Sequence, residues 1–155
     1  MSLRLYSAGL LLLTLPLVTL AQDDADEQAK AAAHQFMKCF KAKDLDGVMA
    51  TVQAPWFHKG QRIIRNREEV REAFQGLFAK KEDLGTIKYV LKTVLAYDAI
   101  REAMNEGERK LIDEVLAKTD RVLLLQLEKP NMAREIVVLL VSLKQGEAKV
   151  VGLRT

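Results

Sequence analysis

The sequence predicts an α+β domain, with helices in the first half and a curved antiparallel sheet in the second. Three observations carry this reading. Apolar residues recur at helical spacing, i, i+3, i+4 and i+7, up to residue 78. Beyond Gly85 the period changes to two, from Ile87 to Asp98. The last third holds three segments rich in Val, Leu and Ile, residues 121–128, 135–144 and 148–153. Turn-forming Lys129-Pro130-Asn131-Met132 and Gln145-Gly146-Glu147 separate them.

Residues 1–21 stand apart from this domain. Arg4 is the one charged side chain before Asp23, residues 8–20 form an apolar run, and Thr19-Leu20-Ala21 puts small residues where a signal peptidase reads them. Cleavage before Gln22 is expected, giving an exported domain of residues 22–155 in the periplasm or outside the cell. A retained membrane anchor is the alternative. Against it, Pro16 interrupts a run shorter than the ~20 apolar residues a span needs, so no stable span is expected after cleavage.

Residues 22–28 are acidic and read as a loose tail that firms into helix. Ala29, Ala32, Ala33, Phe36, Met37 and Phe40 then stripe a first helix that runs to about residue 41. Cys39 is the sole cysteine, so no internal disulfide forms. Between Phe36 and Phe40 it reads as a small buried hydrophobe rather than a nucleophile. Asp44 is a good cap for a short second helix striped by Leu45, Val48, Met49 and Val52. Pro55 forbids its extension, and Trp56-Phe57-His58 starts a strand.

A third helix opens at Asn66, with Glu69 three residues on in the pattern of a capping box, and buries Val70, Phe74, Leu77 and Phe78. In the period-two segment Ile87, Tyr89, Leu91, Thr93, Leu95 and Tyr97 point one way. Residues 99–118 return to helical spacing with Ile100, Ala103, Met104, Leu111, Ile112 and Val115, and read as an inserted helix. The near-continuous apolarity of the last three segments requires cover on both sheet faces, by the helices on one and by a partner subunit on the other.

The chain of 155 residues carries 24 basic and 21 acidic side chains, a formal net charge of +3, and the leader removes Arg4 alone. Such balance leaves no electrostatic footprint for nucleic acid. The densest basic cluster, Arg62, Arg65 and Arg67, alternates with Ile63, Ile64 and Asn66 and reads as a solvated face. Cys, His and carboxylates are nowhere spaced to hold a metal. No cofactor is expected.

The order of elements from Ala29 to Phe74, through Lys43-Asp44-Leu45-Asp46-Gly47 and Pro55-Trp56-Phe57-His58, resembles the first half of the nuclear transport factor 2-like superfamily. That superfamily is the cone-shaped α+β fold shared with ketosteroid isomerases and polyketide cyclases. The resemblance implies a sheet wrapped on the N-terminal helices around a pocket, and it covers most of residues 29–154 if the insertion at about 99–118 is allowed. Related chains often carry a glycine where Lys43 stands here.

The resemblance places the segments of Phe36, Phe40, Trp56, His58, Tyr89 and Gln126 around the mouth and walls of that pocket. Gln126 and Ser142 stand out because each interrupts a run of aliphatics. A buried amide or hydroxyl needs hydrogen bonds, which a pocket can supply, although either residue could equally face solvent on an alternate strand position. The isomerase mechanism has no carriers. Its oxyanion-binding tyrosine aligns with Phe36, and its catalytic aspartate falls near Gly60. The histidine–aspartate pairs of related dehydratases and cyclases would need His58, with Asp98 as a partner.

Three readings result. The first is an exported, non-catalytic domain that binds a small apolar or amphipathic molecule and pairs as a homodimer through its sheet. The second is an isomerase, dehydratase or cyclase with His58 as general base. The third is a structural dimerisation module whose pocket is filled by its own side chains.

Overall fold

The computed structural model describes residues 17–130 and 133–155. Most of the expected leader and the second half of the Lys129–Met132 turn lie outside the described residues. The α+β architecture is as the sequence predicts: three N-terminal helices pack on one face of a curved, unclosed six-stranded sheet.

Helix α1 (Leu17–Lys41) is continuous through the segment expected to be loose. The cause lies partly in the tertiary structure. Asp26 meets the buried Arg121 guanidinium at 2.5 Å, and Ala29 is fully buried, so this turn is held against the sheet. Lys43 closes the turn after α1 with φ 54, a left-handed conformation costly for a residue with a side chain. Its Nζ donates to the carbonyls of Phe78 and Lys80, bracing the turn against the end of the third helix.

Helix α2 (Leu45–Thr51) starts as expected, with Asp44 accepting from the Gly47 amide at 2.9 Å. Strand β1 (Val52–His58) begins before Pro55, directly at the end of α2. Lys59 (φ 52) and Gly60 (φ 76) then turn the chain into β2 (Arg62–Ile64), and the Gln61 amide donates to the His58 carbonyl. Consecutive positive φ values are those of a mirror-image type I turn, suited to a hairpin.

Helix α3 (Arg67–Phe78) is capped by Asn66, which accepts from the amide of Glu68 rather than completing the expected box with Glu69. A single 3-10 turn at Leu84–Thr86 leads into β3 (Lys88–Ala96). The alternation on this strand is not uniform. A register shift between Leu91 and Thr93 moves Val94, rather than Thr93, onto the helix-facing side with Tyr89 and Leu91. A bulge inserts one residue, and one residue inverts a period-two pattern.

The insertion is two short helices, α4 (Tyr97–Arg101) and α5 (Glu106–Asp113), because Asn105 caps a new start at the Glu108 amide. Strands β4 (Arg121–Glu128), β5 (Glu135–Ser142) and β6 (Lys149–Arg154) complete the sheet. Its order is β2-β1-β6-β5-β4-β3, antiparallel except where β1 and β6 run parallel. Gly152 permits that junction, since a Cβ there would stand 2.6 Å from the Phe57 Cβ.

The sheet is therefore covered on the helix side, as expected, and on part of its other face. The helix-side core holds Phe36, Met37, Trp56, Phe74, Leu125 and Leu139. On the opposite face Phe57, Val122, Leu140 and Val151 pack with Tyr97, Ile112, Val115 and Leu116 of the insertion and the loop after it. The insertion thus supplies part of the cover that the apolarity of the strands had assigned to a partner.

Candidate functional site

A cavity of about 500 Å³ opens between α1, α3 and the concave face of the sheet. Its walls are set by the pleat. His58, Leu153 and Leu139 are register neighbours across β1, β6 and β5, so their side chains share the concave face. Trp56, two residues before His58, stands on that face too. From the helical side come Phe36, Met37 and Phe40 of α1, with Ala73, Phe74 and Leu77 of α3. The helical period brings each set to one side.

One part of the wall is aromatic. Phe74 meets Trp56 edge-on at a centroid distance of 5.3 Å and Phe36 at 6.0 Å, and Phe36 stacks on Phe40 at 5.7 Å. Edge and offset contacts at these spacings are the preferred arrangements of aromatic quadrupoles. Phe36, Trp56 and Phe74 are buried, whereas Phe40 and Phe78 are half-buried, and of these two Phe40 lines the cavity. The sequence had all four phenylalanines in the core.

His58 is the one imidazole in this wall. Its Nδ1 faces the Trp56 indole Nε1 at 3.4 Å. An indole N–H can only donate, so Nδ1 is the acceptor and Nε2 carries the ring proton. Burial, then the charges of Lys59 and Arg62, hold the His58 pKa below its ordinary 6.5. The ring is thus a neutral hydrogen-bond donor at Nε2. Among the described residues no carboxylate lies within ion-pair distance of it.

Four of the six residues named from sequence line the cavity: Phe36, Phe40, Trp56 and His58. Tyr89 and Gln126 do not. The Tyr89 hydroxyl is taken at 2.9 Å by Nδ1 of His34, an exposed residue of α1. Gln126 pairs in register with Val90 and Ile136, both on the outer face, and its Nε2 donates to Glu128. A residue between two buried leucines is turned to the other side by the pleat. The feature that drew attention to Gln126 was the evidence against it.

Ser142 is buried, with no hydrogen-bond partner for Oγ among the described residues, and is not part of the cavity wall. Asp98 lies in α4 on the far face, 3.8 Å from Lys118, and cannot serve His58. Cys39 is buried under the α2 turn, 3.4 Å from Gln35 Nε2. The sequence reading missed Leu127, Val137, Leu139 and Leu153, which alternate with outward neighbours along their strands and could have been assigned by phase. It also passed over the charged mouth: Lys59, Arg62, Lys80 and Lys129, with Glu82 and Glu135. No group of His, Cys, Asp and Glu among the described residues could hold a metal ion.

Comparison with known proteins adds the fold. No family model matches the sequence, and no curated protein matches it. Among solved structures, a ketosteroid isomerase-like protein from Erwinia carotovora atroseptica superposes with a TM-score of 0.56 at 14% identity, over 85% of this chain and 95% of that one. A candidate dehydratase of the nuclear transport factor 2-like family from Streptomyces avermitilis gives 0.53 at 14% identity, covering 85% and 94%. A nuclear transport factor 2-like protein of unknown function from Shewanella oneidensis gives 0.52 at 12%, covering 83% and 95%. At such identities the likeness is one of fold. The chain has the nuclear transport factor 2-like cone fold, and its chemistry must be argued from its own residues.

Proposed function

We propose that this protein is an exported binding domain that holds a small apolar or amphipathic molecule in its cone without transforming it. The observation that carries the reading is a cavity of about 500 Å³ lined by Phe36, Trp56 and Phe74, whose single imidazole has no carboxylate partner among the described residues. Sites of this volume, apolar with few polar groups, are typical of small-molecule binders. A general base needs a free lone pair within reach of the substrate. The His58 Nδ1 lone pair is already occupied by the Trp56 indole, and Nε2 carries the proton.

A second reading keeps His58 as the base of an isomerase, dehydratase or cyclase, and the position of His58 in the cavity wall is what favours it. The test is extraction of the purified protein with organic solvent and mass spectrometry of what is released, followed by incubation of that compound with parent and His58→Ala protein. Binding with no turnover is expected. Turnover by the parent that disappears in His58→Ala would establish the enzyme instead.

Export rests on residues 1–21. Intact mass of the exported form should place its N-terminus within a residue or two of Gln22, and retention of Met1 would refute the leader. Pairing as a homodimer is proposed through the part of the outer sheet face that the insertion leaves open, where Val90 and Ile136 are each 49% exposed.

A further inference from the structure

The cavity is apolar in depth and charged at one end, and the charge is unbalanced. Its mouth is edged by the β1–β2 hairpin, the end of α3, and Lys129 and Glu135 at the facing ends of β4 and β5. The β4–β5 corner is paired internally, one cation against two carboxylates, with Lys129 Nζ 3.5 Å from Glu82 and 3.8 Å from Glu135. The hairpin side is not. Lys59 lies in the left-handed turn, Arg62 opens β2 after it, and Lys80 follows the end of the helix opposite. Among the described residues none of the three has an acidic group within ion-pair distance, and all three are exposed. Between them and the aromatic wall stands His58, offering the Nε2 proton fixed by its bond to Trp56.

We infer that the molecule held in the cone is an amphipathic anion, an apolar body bearing one carboxylate, with the carboxylate set at His58, Lys59 and Arg62. The inference deepens the binding function proposed above and rests on it. The body displaces water from the Phe36–Trp56–Phe74 wall, where the hydrophobic effect acts in proportion to the area covered. The head meets a guanidinium that can bind it with two parallel N–H donors, a mobile ammonium and a neutral N–H. Placing the head at the mouth leaves it partly hydrated, so its charge need not be stripped of water to enter. Burial is the main cause of the lowered His58 pKa, and the charges of Lys59 and Arg62 add to it, a positive field at this end. A cationic ligand would meet that same field as repulsion, and a neutral one would gain nothing from it.

The experiment is calorimetric titration of the full-length chain with dodecanoate, dodecanol and dodecylamine, repeated with the naphthalene series of acetate, methanol and methylamine. Each series varies the head on a constant body. The acid should bind about tenfold or more tightly than the alcohol in at least one series, as one charge-assisted contact warrants. That preference should shrink with added salt and vanish in Lys59→Gln/Arg62→Gln, two exposed positions whose circular dichroism and melting should match the parent. Equal affinity for acid and alcohol, or preference for the amine, overturns the anionic assignment and leaves the binding function standing. An acid preference that survives in the double variant also overturns it, by locating the charge elsewhere. Failure of every probe in both series to bind overturns the assignment together with the binding function beneath it.

Discussion

Trp56 and His58 show how much one strand can settle. They are two residues apart, so the pleat puts both on the concave face, and the indole N–H then fixes which imidazole nitrogen holds the proton. With its pKa below 6.5, folded His58 resists protonation longer than it does in the unfolded chain. Its stability contribution is therefore present above pH 6.5 and is lost as pH falls through the lower folded value. Thermal melts on either side of that pH should show a decline toward acid, and His58→Gln should flatten it. An unchanged slope would place the acid sensitivity elsewhere. Phe74 makes a second, purely structural prediction. It is 4% exposed and touches Phe36, Trp56 and Phe78. Phe74→Ala should cost about 3–5 kcal/mol in denaturant unfolding, and Phe78→Ala, half-buried, less. Equal losses would mean that the two rings share one environment, contrary to their burial.

At the scale of elements, the helices and strands were legible wherever a period ran long enough to accumulate. The stripe from Ala29 to Phe40, the Asp44 and Asn66 caps and the last three strands all emerge from local pattern. Three features did not. The bulge at Leu91–Thr93 inverts the second half of β3, and nothing in an alternating apolar segment marks where the phase slips. The insertion divides at Asn105 because a cap competes with continuation of the helix, and its apolar residues fit either course. The cavity wall was half-readable: its helical half follows from stripes, whereas its sheet half depends on which strand lies beside which. The insertion also carries its own brace. Asp113 accepts from the Tyr97 hydroxyl at 2.9 Å and from Arg101 Nη2 at 2.6 Å, and burial with that carboxylate pushes the Tyr97 phenol up to about 12. Ile112, 2% exposed, is the anchor beneath it. Ile112→Ala should cost about 2–5 kcal/mol by chemical denaturation. A loss below about 1 kcal/mol would show that the insertion is not part of the cooperative unit.

Across the whole molecule, β4 and β5 are clad on both sides, by α1 on the concave face and by α4 and α5 on part of the other. The strip that stays open crosses three strands in register, Val90, Gln126 and Ile136. If two copies pair there, Ile136→Lys should convert a dimer to a monomer in light scattering without lowering the melting temperature by more than a few degrees, since the side chain is exposed. A parent protein that is monomeric at all concentrations would remove the proposed homodimer.

The parallel junction of β1 with β6 bears on how the chain acquires its shape over time. The hairpin that carries His58, Lys59 and Arg62 is attached to the sheet through the last strand, with Phe57 opposite Gly152. Contacts between such distant parts of a chain form late, because the loop between them must be ordered first. A chain emerging from its N-terminus can build α1, α2 and the hairpin, but the hairpin has no edge to dock on until β6 is available. The cone thus stays incomplete until the last strand has been made, so the site that holds His58, Lys59 and Arg62 is among the last parts of the molecule to take shape.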